Sequence, residues 1–147
     1  MRLYGIATVI MIAAAMLIPT VAAQETGTYN YTVTPAGDTV LKGTSVIVPM
    51  NTGSIKQGES KWYSLNVPAG KKELFIDLNW GDTSNSLRLM VYAPDAVLGP
   101  YYDAYDGVNG RICLRISDSV SLFPGTWQFE VYGASVTGTQ SYTFGWK

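Results

Sequence analysis

The stretch that decides the fold lies near the C-terminus and reads Pro124-Gly125-Thr126-Trp127-Gln128-Phe129-Glu130-Val131-Tyr132-Gly133. After the Pro-Gly turn, apolar residues (Trp127, Phe129 and Val131) alternate with polar or amphipathic ones. Successive side chains of a β-strand point to opposite faces of the sheet. The alternation therefore predicts a strand with one face in a core and the other in solvent.

The same alternation recurs along most of the chain, and no segment has a convincing helical period. Short strands separated by Gly-, Pro- and Asn-rich turns are typical of a sandwich or a jelly-roll-like barrel. We therefore predict an all-β fold, an antiparallel jelly-roll-like β-sandwich. The segments with this pattern are residues 61–67, 73–80, 86–93, 111–117, 125–132 and 140–146. The side chains expected to meet in one core layer are Tyr63, Leu65, Ile76, Leu89, Ile112, Phe129 and Phe144.

The first 23 residues have the composition of a secretory signal peptide. Arg2 precedes an almost unbroken apolar run, and Val21-Ala22-Ala23 provides the small residues that a signal peptidase requires. The run is shorter than the ~20 apolar residues that span a bilayer, which argues against a retained membrane anchor. We expect cleavage after Ala23 and a secreted chain that acts outside the cell or at its surface, without a membrane span.

The remaining chain divides by composition into an arm and a domain. Residues 24–52 are predicted to be an extended N-terminal arm with short strand candidates at residues 29–34, 39–42 and 45–48. Residues 53–147 are predicted to be the sandwich itself. Asn30-Tyr31-Thr32 matches a glycosylation sequon, so Asn30 is a candidate glycosylation site in the arm.

Composition excludes several classes of function. The 147 residues contain no histidine and a single cysteine, and the net charge is −1. Ser-His-Asp and Cys-His catalysis both need a histidine base, and zinc sites are built mainly from imidazole and thiolate. No Lys/Arg cluster offers a surface for nucleic acid or anionic lipid. We expect a protein that is not an enzyme and that carries no cofactor, apart from the calcium alternative considered below.

The single cysteine, Cys113, lies in a strand whose aliphatic residues form the opposite face. It shares its own face with Arg111 and Arg115, which places the thiol outward or in a partly covered groove. Ordinary packing and an intermolecular disulfide are both open interpretations of this residue.

One loop carries a cluster of carboxylates, Asp103 and Asp106, with Asp95 upstream. A glycosidase pair would need one carboxyl group with a raised pKa in a cleft. A calcium site could use Asp103, Asp106 and loop carbonyls as ligands, although the spacing matches no EF-hand. The third alternative is an ordinary structured loop in which Asp and Gly serve the turns.

Aromatic side chains are the candidate ligand-binding groups. Tyr101, Tyr102 and Tyr105 lie close together in the same loop, and Trp62 is expected to point outward from its strand. Rings of this kind stack on sugars or anchor protein partners at low entropic cost. The residues expected to form an outward row, either solvated or docked on a second subunit, are Arg88, Met90, Tyr92, Arg111, Arg115 and Glu130.

From about residue 54 onward the chain resembles the bacterial pre-peptidase C-terminal domain, a small β-sandwich appended to secreted proteases and found on surface proteins. The matching segments are Ile55-Lys56-Gln57-Gly58-Glu59-Ser60-Lys61-Trp62-Tyr63-Ser64-Leu65, Val67-Pro68-Ala69-Gly70, Leu87-Arg88-Leu89-Met90-Val91-Tyr92-Ala93-Pro94-Asp95, Pro124-Gly125-Thr126-Trp127-Gln128-Phe129-Glu130-Val131-Tyr132 and Tyr142-Thr143-Phe144. The family often has an Asp-Leu-Asp-Leu pattern in its central strand, where this chain has Ser86 and Arg88. The resemblance implies a secreted, surface-associated module, and the departure at Ser86 and Arg88 argues against an acidic or metal-linked role for that strand.

Three functional hypotheses follow from the sequence. The first is a secreted non-catalytic module that binds a cell-surface glycan or protein or builds the envelope. The second is a carbohydrate-binding module that uses the tyrosine loop. The third is a self-assembling sheath or surface-layer subunit in which the arm adds a strand to a neighbour.

Overall fold

The computed structural model describes residues 30–36 and 50–147. Within these residues the strands are β1 (Thr32–Pro35), β2 (Met50–Lys56), β3 (Ser60–Val67), β4 (Glu73–Asn79), β5 (Ser86–Tyr92), β6 (Val97–Tyr102), β7 (Arg111–Ser117), β8 (Gly125–Ser135) and β9 (Thr139–Trp146), with one 3-10 turn at Asp103–Tyr105. The predicted signal peptide and the strand candidates at residues 39–42 and 45–48 lie outside the described residues. No helix of membrane-spanning length and apolarity occurs in the part of the chain that is described.

The strands form two antiparallel sheets. Sheet A has the order β1-β7-β4-β9-β2, and sheet B has the order β3-β8-β5-β6. From β2 to β9 this is the strand order of an eight-stranded jelly roll, in which β1 is an additional edge strand beside β7. The prediction of an all-β, jelly-roll-like antiparallel sandwich is confirmed.

The core lies between the two sheets, as the alternation predicted. Trp127, Phe129 and Val131 of β8 are fully buried and face the aliphatic side chains of sheet A. The predicted core layer is confirmed, with Tyr63 and Leu65 partly buried at its margin. The other core residues with almost no exposed surface include Ile55, Leu74, Ile76, Leu78, Leu87, Leu89, Val91, Ile112, Leu114, Ile116 and Phe144.

Residues from the predicted arm take part in the sandwich. Strand β1 pairs with β7, so that Thr32 lies opposite Ser117. The Tyr31 ring lies 5.5 Å from the Trp127 ring, and its hydroxyl donates a 2.7 Å hydrogen bond to Asp95. These contacts anchor residues 30–36 against the sandwich.

Strand β6 was not predicted, because Gly99-Pro100 interrupts the alternation within residues 97–102. The strand pairs with β5, with an irregularity in register between Leu89 and Val91. This pairing decides the orientation of the tyrosines that follow.

Candidate binding face

The outward side of sheet B is the surface of most chemical interest. Cross-strand partners share a face of a sheet, so the register defines which side chains point away from the core. The sheet B face, as we call it below, consists of Ser60, Trp62, Ser64, Arg88, Met90, Tyr92, Val97, Tyr102, Gln128, Glu130 and Tyr132. It contains four aromatic rings, a methionine and an arginine, and all of its residues lie in strands.

An aromatic pair crosses the middle of this face. Trp62 is 55% exposed, and its ring centroid lies 5.4 Å from that of Tyr92, with the two planes at 38°. Trp62 is on β3 and Tyr92 on β5, so the rings meet above β8, which lies between those strands. The predicted outward orientation of Trp62 is confirmed.

A charge pair lies in the same face as these rings. Glu130 is only 9% exposed and accepts hydrogen bonds from the Ser60 hydroxyl at 2.6 Å and from Arg88 Nη2 at 3.2 Å. The Arg88 guanidinium carbon also lies 4.3 Å from the centroid of the Tyr132 ring, which is a cation–π contact. The two charges neutralise each other and hold these side chains in place.

The tyrosine loop does not form the single exposed cluster that the sequence predicted. Tyr101 is 9% exposed and belongs to the core, because it pairs with the inward-facing Leu89; including it among the ligand-binding residues was wrong. Burial raises the pKa of Tyr101 to about 12. Tyr102 pairs with Arg88, so it points outward on the sheet B face. Tyr105 packs edge-on against Tyr101 and donates a 2.9 Å hydrogen bond to the Val33 carbonyl.

The two aspartates of the predicted calcium site organise their own loop. Asp103 Oδ1 accepts from the Ala104 amide at 3.1 Å. Asp106 uses both oxygens, accepting from the amides of Val108 at 3.0 Å and Cys113 at 2.8 Å. Among the described residues no group of three or more His, Cys, Asp or Glu side chains could hold a metal ion. These contacts favour the structured-loop alternative.

Cys113 is buried, at 2% exposure, so the expectation of an outward or partly covered thiol was wrong. Its amide is held by Asp106, and its carbonyl accepts a 3.0 Å hydrogen bond from the Ala36 amide. The alternation of residue types within β7 alone could not show that residues 103–110 and β1 cover this part of the strand. An intermolecular disulfide at Cys113 would require this region to open.

The other candidate residues are exposed or belong to the opposite sheet. Asn30 is exposed, as a glycosylation site requires, and its use stays a prediction. Arg111 and Arg115 were predicted to share a row with Arg88, but they lie on β7 in sheet A. There they form ion pairs with Asp77 and Glu73, respectively. The hydrogen bond from Arg115 lowers the pKa of Glu73.

No protein-family model matches this chain. A 41-residue stretch is 49% identical to an uncharacterized protein of Archaeoglobus fulgidus, and the match covers 28% of this chain. The chain spans about half the length of this relative, 56%. Among solved structures, the chain is similar to Aeromonas hydrophila PliG, a periplasmic inhibitor of g-type lysozyme. The TM-score is 0.43 and the identity 19%, over 68% of this chain and 84% of PliG. At these levels of similarity neither protein establishes what this chain binds.

Proposed function

We propose that this chain is an exported, non-catalytic binding module that holds a protein partner on the sheet B face. The observation that carries the proposal is the exposed Trp62 ring, which packs at a tilt against Tyr92 beside a neutralised Glu130–Arg88 pair. The signal-like N-terminus and the resemblance to the pre-peptidase C-terminal domain support export and a surface role. The lack of histidine supports a role in binding.

The composition of this face suits a protein partner. A single exposed apolar residue is ordinary, but here Trp62 and Tyr92 are in ring contact and Tyr102 and Tyr132 lie on the same face. Trp, Tyr and Arg dominate the energetic centres of protein interfaces, and Met is enriched there, while Lys and Glu are depleted. The charged members of this face, Arg88 and Glu130, already pair with each other. The expected partner surface is therefore uncharged and largely apolar.

The face is also preorganised. Its side chains project from adjacent strands, and the hydrogen bond from Ser60 to Glu130 restricts the carboxylate before any partner arrives. Glu130 is already largely withdrawn from water, so covering it costs little further desolvation. Rigid groups lose little entropy on binding, which leaves more of the contact energy as affinity.

Site-specific photo-crosslinking in the producing cell tests this proposal. A benzophenone amino acid in place of Trp62 should yield a discrete protein adduct. The matched control places the same group at Val120, which is 76% exposed in the loop between β7 and β8. The partner identified from the adduct should then bind the purified protein at least tenfold more weakly when Trp62→Ala is introduced, since buried interface tryptophans commonly contribute about 2 kcal/mol or more.

The outcomes separate the alternatives. An adduct of twice the chain mass would show that the protein partner is a second copy of this chain. A carbohydrate adduct without protein would instead support the carbohydrate-binding hypothesis and overturn this proposal. The same adducts from both positions, or none from Trp62, would also overturn it.

A further inference from the structure

We propose that a cleft on the outward side of sheet A binds an uncharged oligosaccharide. The cleft has a volume of about 620 Å³ and lies between β2, β9 and the residues that follow β4. Its polar side chains are Thr52, Ser54, Asn79, Ser141 and Thr143. The site is on the opposite sheet from the sheet B face and does not depend on the function proposed there.

The cleft exists because β4 ends before its neighbour does. Asn79 is the last residue of β4 and lies opposite Thr143, whereas β9 begins four residues earlier, at Thr139. Beyond Asn79 the chain turns aside, and the amides of Trp80 and Gly81 both donate 2.9 Å hydrogen bonds to the Gly110 carbonyl. The part of β9 around Ser141 therefore has no β4 residue beside it.

The end of the cleft near Trp80 is held by buried hydrogen bonds. Asn85 Nδ2 donates to Gln140 Oε1 at 2.7 Å, and Gln140 Nε2 donates to the Trp80 carbonyl at 3.1 Å. Trp80 Nε1 completes the ring of contacts by donating to the Asn85 carbonyl at 3.0 Å. Satisfied buried networks of this kind are rigid, so the wall of the cleft is formed before a ligand enters.

The chemistry of the lining selects the ligand class. The side chains of Thr52, Ser54, Asn79 and Ser141 make no hydrogen bond to any other described residue, and Thr143 makes only a long one, 3.4 Å, to the Asn79 carbonyl. Hydroxyl and amide groups each donate and accept, as sugar hydroxyls do. None of the lining residues is charged, so neither phosphate nor carboxylate would find a counter-ion. The cleft is shallow and open to solvent, and its volume lies within the range of small-ligand sites.

The test is an amide-detected NMR titration of the purified protein with three neutral probes: maltohexaose, cellohexaose and chitohexaose. Oligogalacturonate is the anionic control. At least one neutral probe should shift the amide signals of Thr52, Ser54 and Ser141. Ser141→Trp, which fills the cleft, and Thr52→Val, which keeps its shape but removes a hydroxyl, should each weaken binding at least tenfold. Trp62→Ala is the matched control and should leave the affinity unchanged.

Several results would overturn the proposal. They are the absence of shifts with all three neutral probes at millimolar concentration, tighter binding of the anionic control, and sugar binding that survives Ser141→Trp. Sugar binding that Trp62→Ala abolishes would place the glycan on the sheet B face instead. A peptide added along the β2 edge would use backbone groups, so its binding would be insensitive to Thr52→Val. Failure here would leave the protein-binding proposal intact, because that proposal concerns the other sheet.

Discussion

The hydroxyl of Tyr63 lies 2.7 Å from the hydroxyl of Tyr142, and this hydrogen bond joins the two sheets. Tyr63 is on β3 of sheet B, whereas Tyr142 is on β9 of sheet A and is almost fully buried. The Tyr142 ring occupies the space beside Gly53, where a Cβ atom would come within 2.6 Å of it. A polar link is thus built into this layer, in which one hydroxyl donates and the other accepts.

Removing both hydroxyls should destabilise the protein by less than the sum of the two single losses. Tyr63→Phe leaves the buried Tyr142 hydroxyl without this partner, at an expected cost of about 1–2 kcal/mol in the free energy of unfolding. The double variant with Tyr142→Phe should be more stable than the sum of the single effects predicts. Urea unfolding of the four proteins measures this coupling, and strictly additive losses would show that the hydrogen bond contributes nothing.

A methyl group at Gly53 should collide with the Tyr142 ring. Gly53→Ala is expected to cost about 1–3 kcal/mol, because overpacking forces side chains or backbone to shift. Ser54→Ala, on the exposed side of the same strand, should change the stability by less than about 0.5 kcal/mol. Equal midpoints of thermal unfolding for the two variants would contradict the close packing described at this position.

Stability should fall in alkaline solution. Burial raises the pKa of Tyr101 to about 12, whereas the ordinary value is about 10. The pKa of Tyr31 is also raised, by burial and by its bond to Asp95, and that of Tyr142 by burial and by its bond to Tyr63. The folded state thus holds these protons more tightly than the unfolded chain does. The stabilisation is complete below pH 10 and is lost as the pH rises through the folded-state values.

Urea unfolding at a series of pH values from about 8 to about 11.5 measures this loss. Tyr101→Phe removes one of the titrating groups, so the decline should become shallower in that variant. A free energy of unfolding that stays constant across the series would contradict the raised pKa values of these tyrosines in the folded state.

The thiol of Cys113 should react slowly in the native protein, because the residue is buried in β7. Labelling with a thiol reagent is expected to be fast only after denaturation, and gel filtration should give one elution volume with or without reductant. Rapid labelling of the thiol in the native protein, or a dimer that dissociates on addition of reductant, would support the intermolecular disulfide that the sequence left open.

Asp106 is expected to contribute to the stability of the fold and not to bind calcium. Asp106→Ala removes the acceptor for two backbone amides and is expected to cost about 1–3 kcal/mol. Asp103→Ala removes one exposed contact and serves as the weaker comparison. Calcium should leave the Tm of the unmodified protein unchanged. A rise in Tm with calcium that Asp106→Ala abolishes would restore the calcium interpretation.

Alternation was sufficient to predict the core and most strands, because a half-buried strand has a period of two residues in its own sequence. Trp127, Phe129 and Val131 are buried as that pattern required. Strand β6 was not predicted because Gly99-Pro100 interrupts the two-residue period. The inward orientation of Tyr101 could not be predicted for the same reason, since a residue assigned to a loop has no predicted face.

The candidate sites depended on contacts between distant segments, which a single sequence does not specify. Trp62 was expected to be exposed, but its ring contact with Tyr92 requires β8 to lie between their strands. Arg111 was expected beside Arg88, yet the strand order places the two on opposite sheets. The cleft near Ser141 arises only where β4 departs from β9, and no local motif marks that departure.

The interior positions of β8 and β9 have a consequence for biogenesis. Among the described strands these two come last in the chain, yet β8 lies between β3 and β5, and β9 between β4 and β2. Sheet B therefore cannot close before Ser135 has been synthesised, and sheet A cannot close before Trp146 has been synthesised. A nascent or truncated chain that lacks β9 therefore presents the unpaired edges of β4 and β2 to chaperones and proteases.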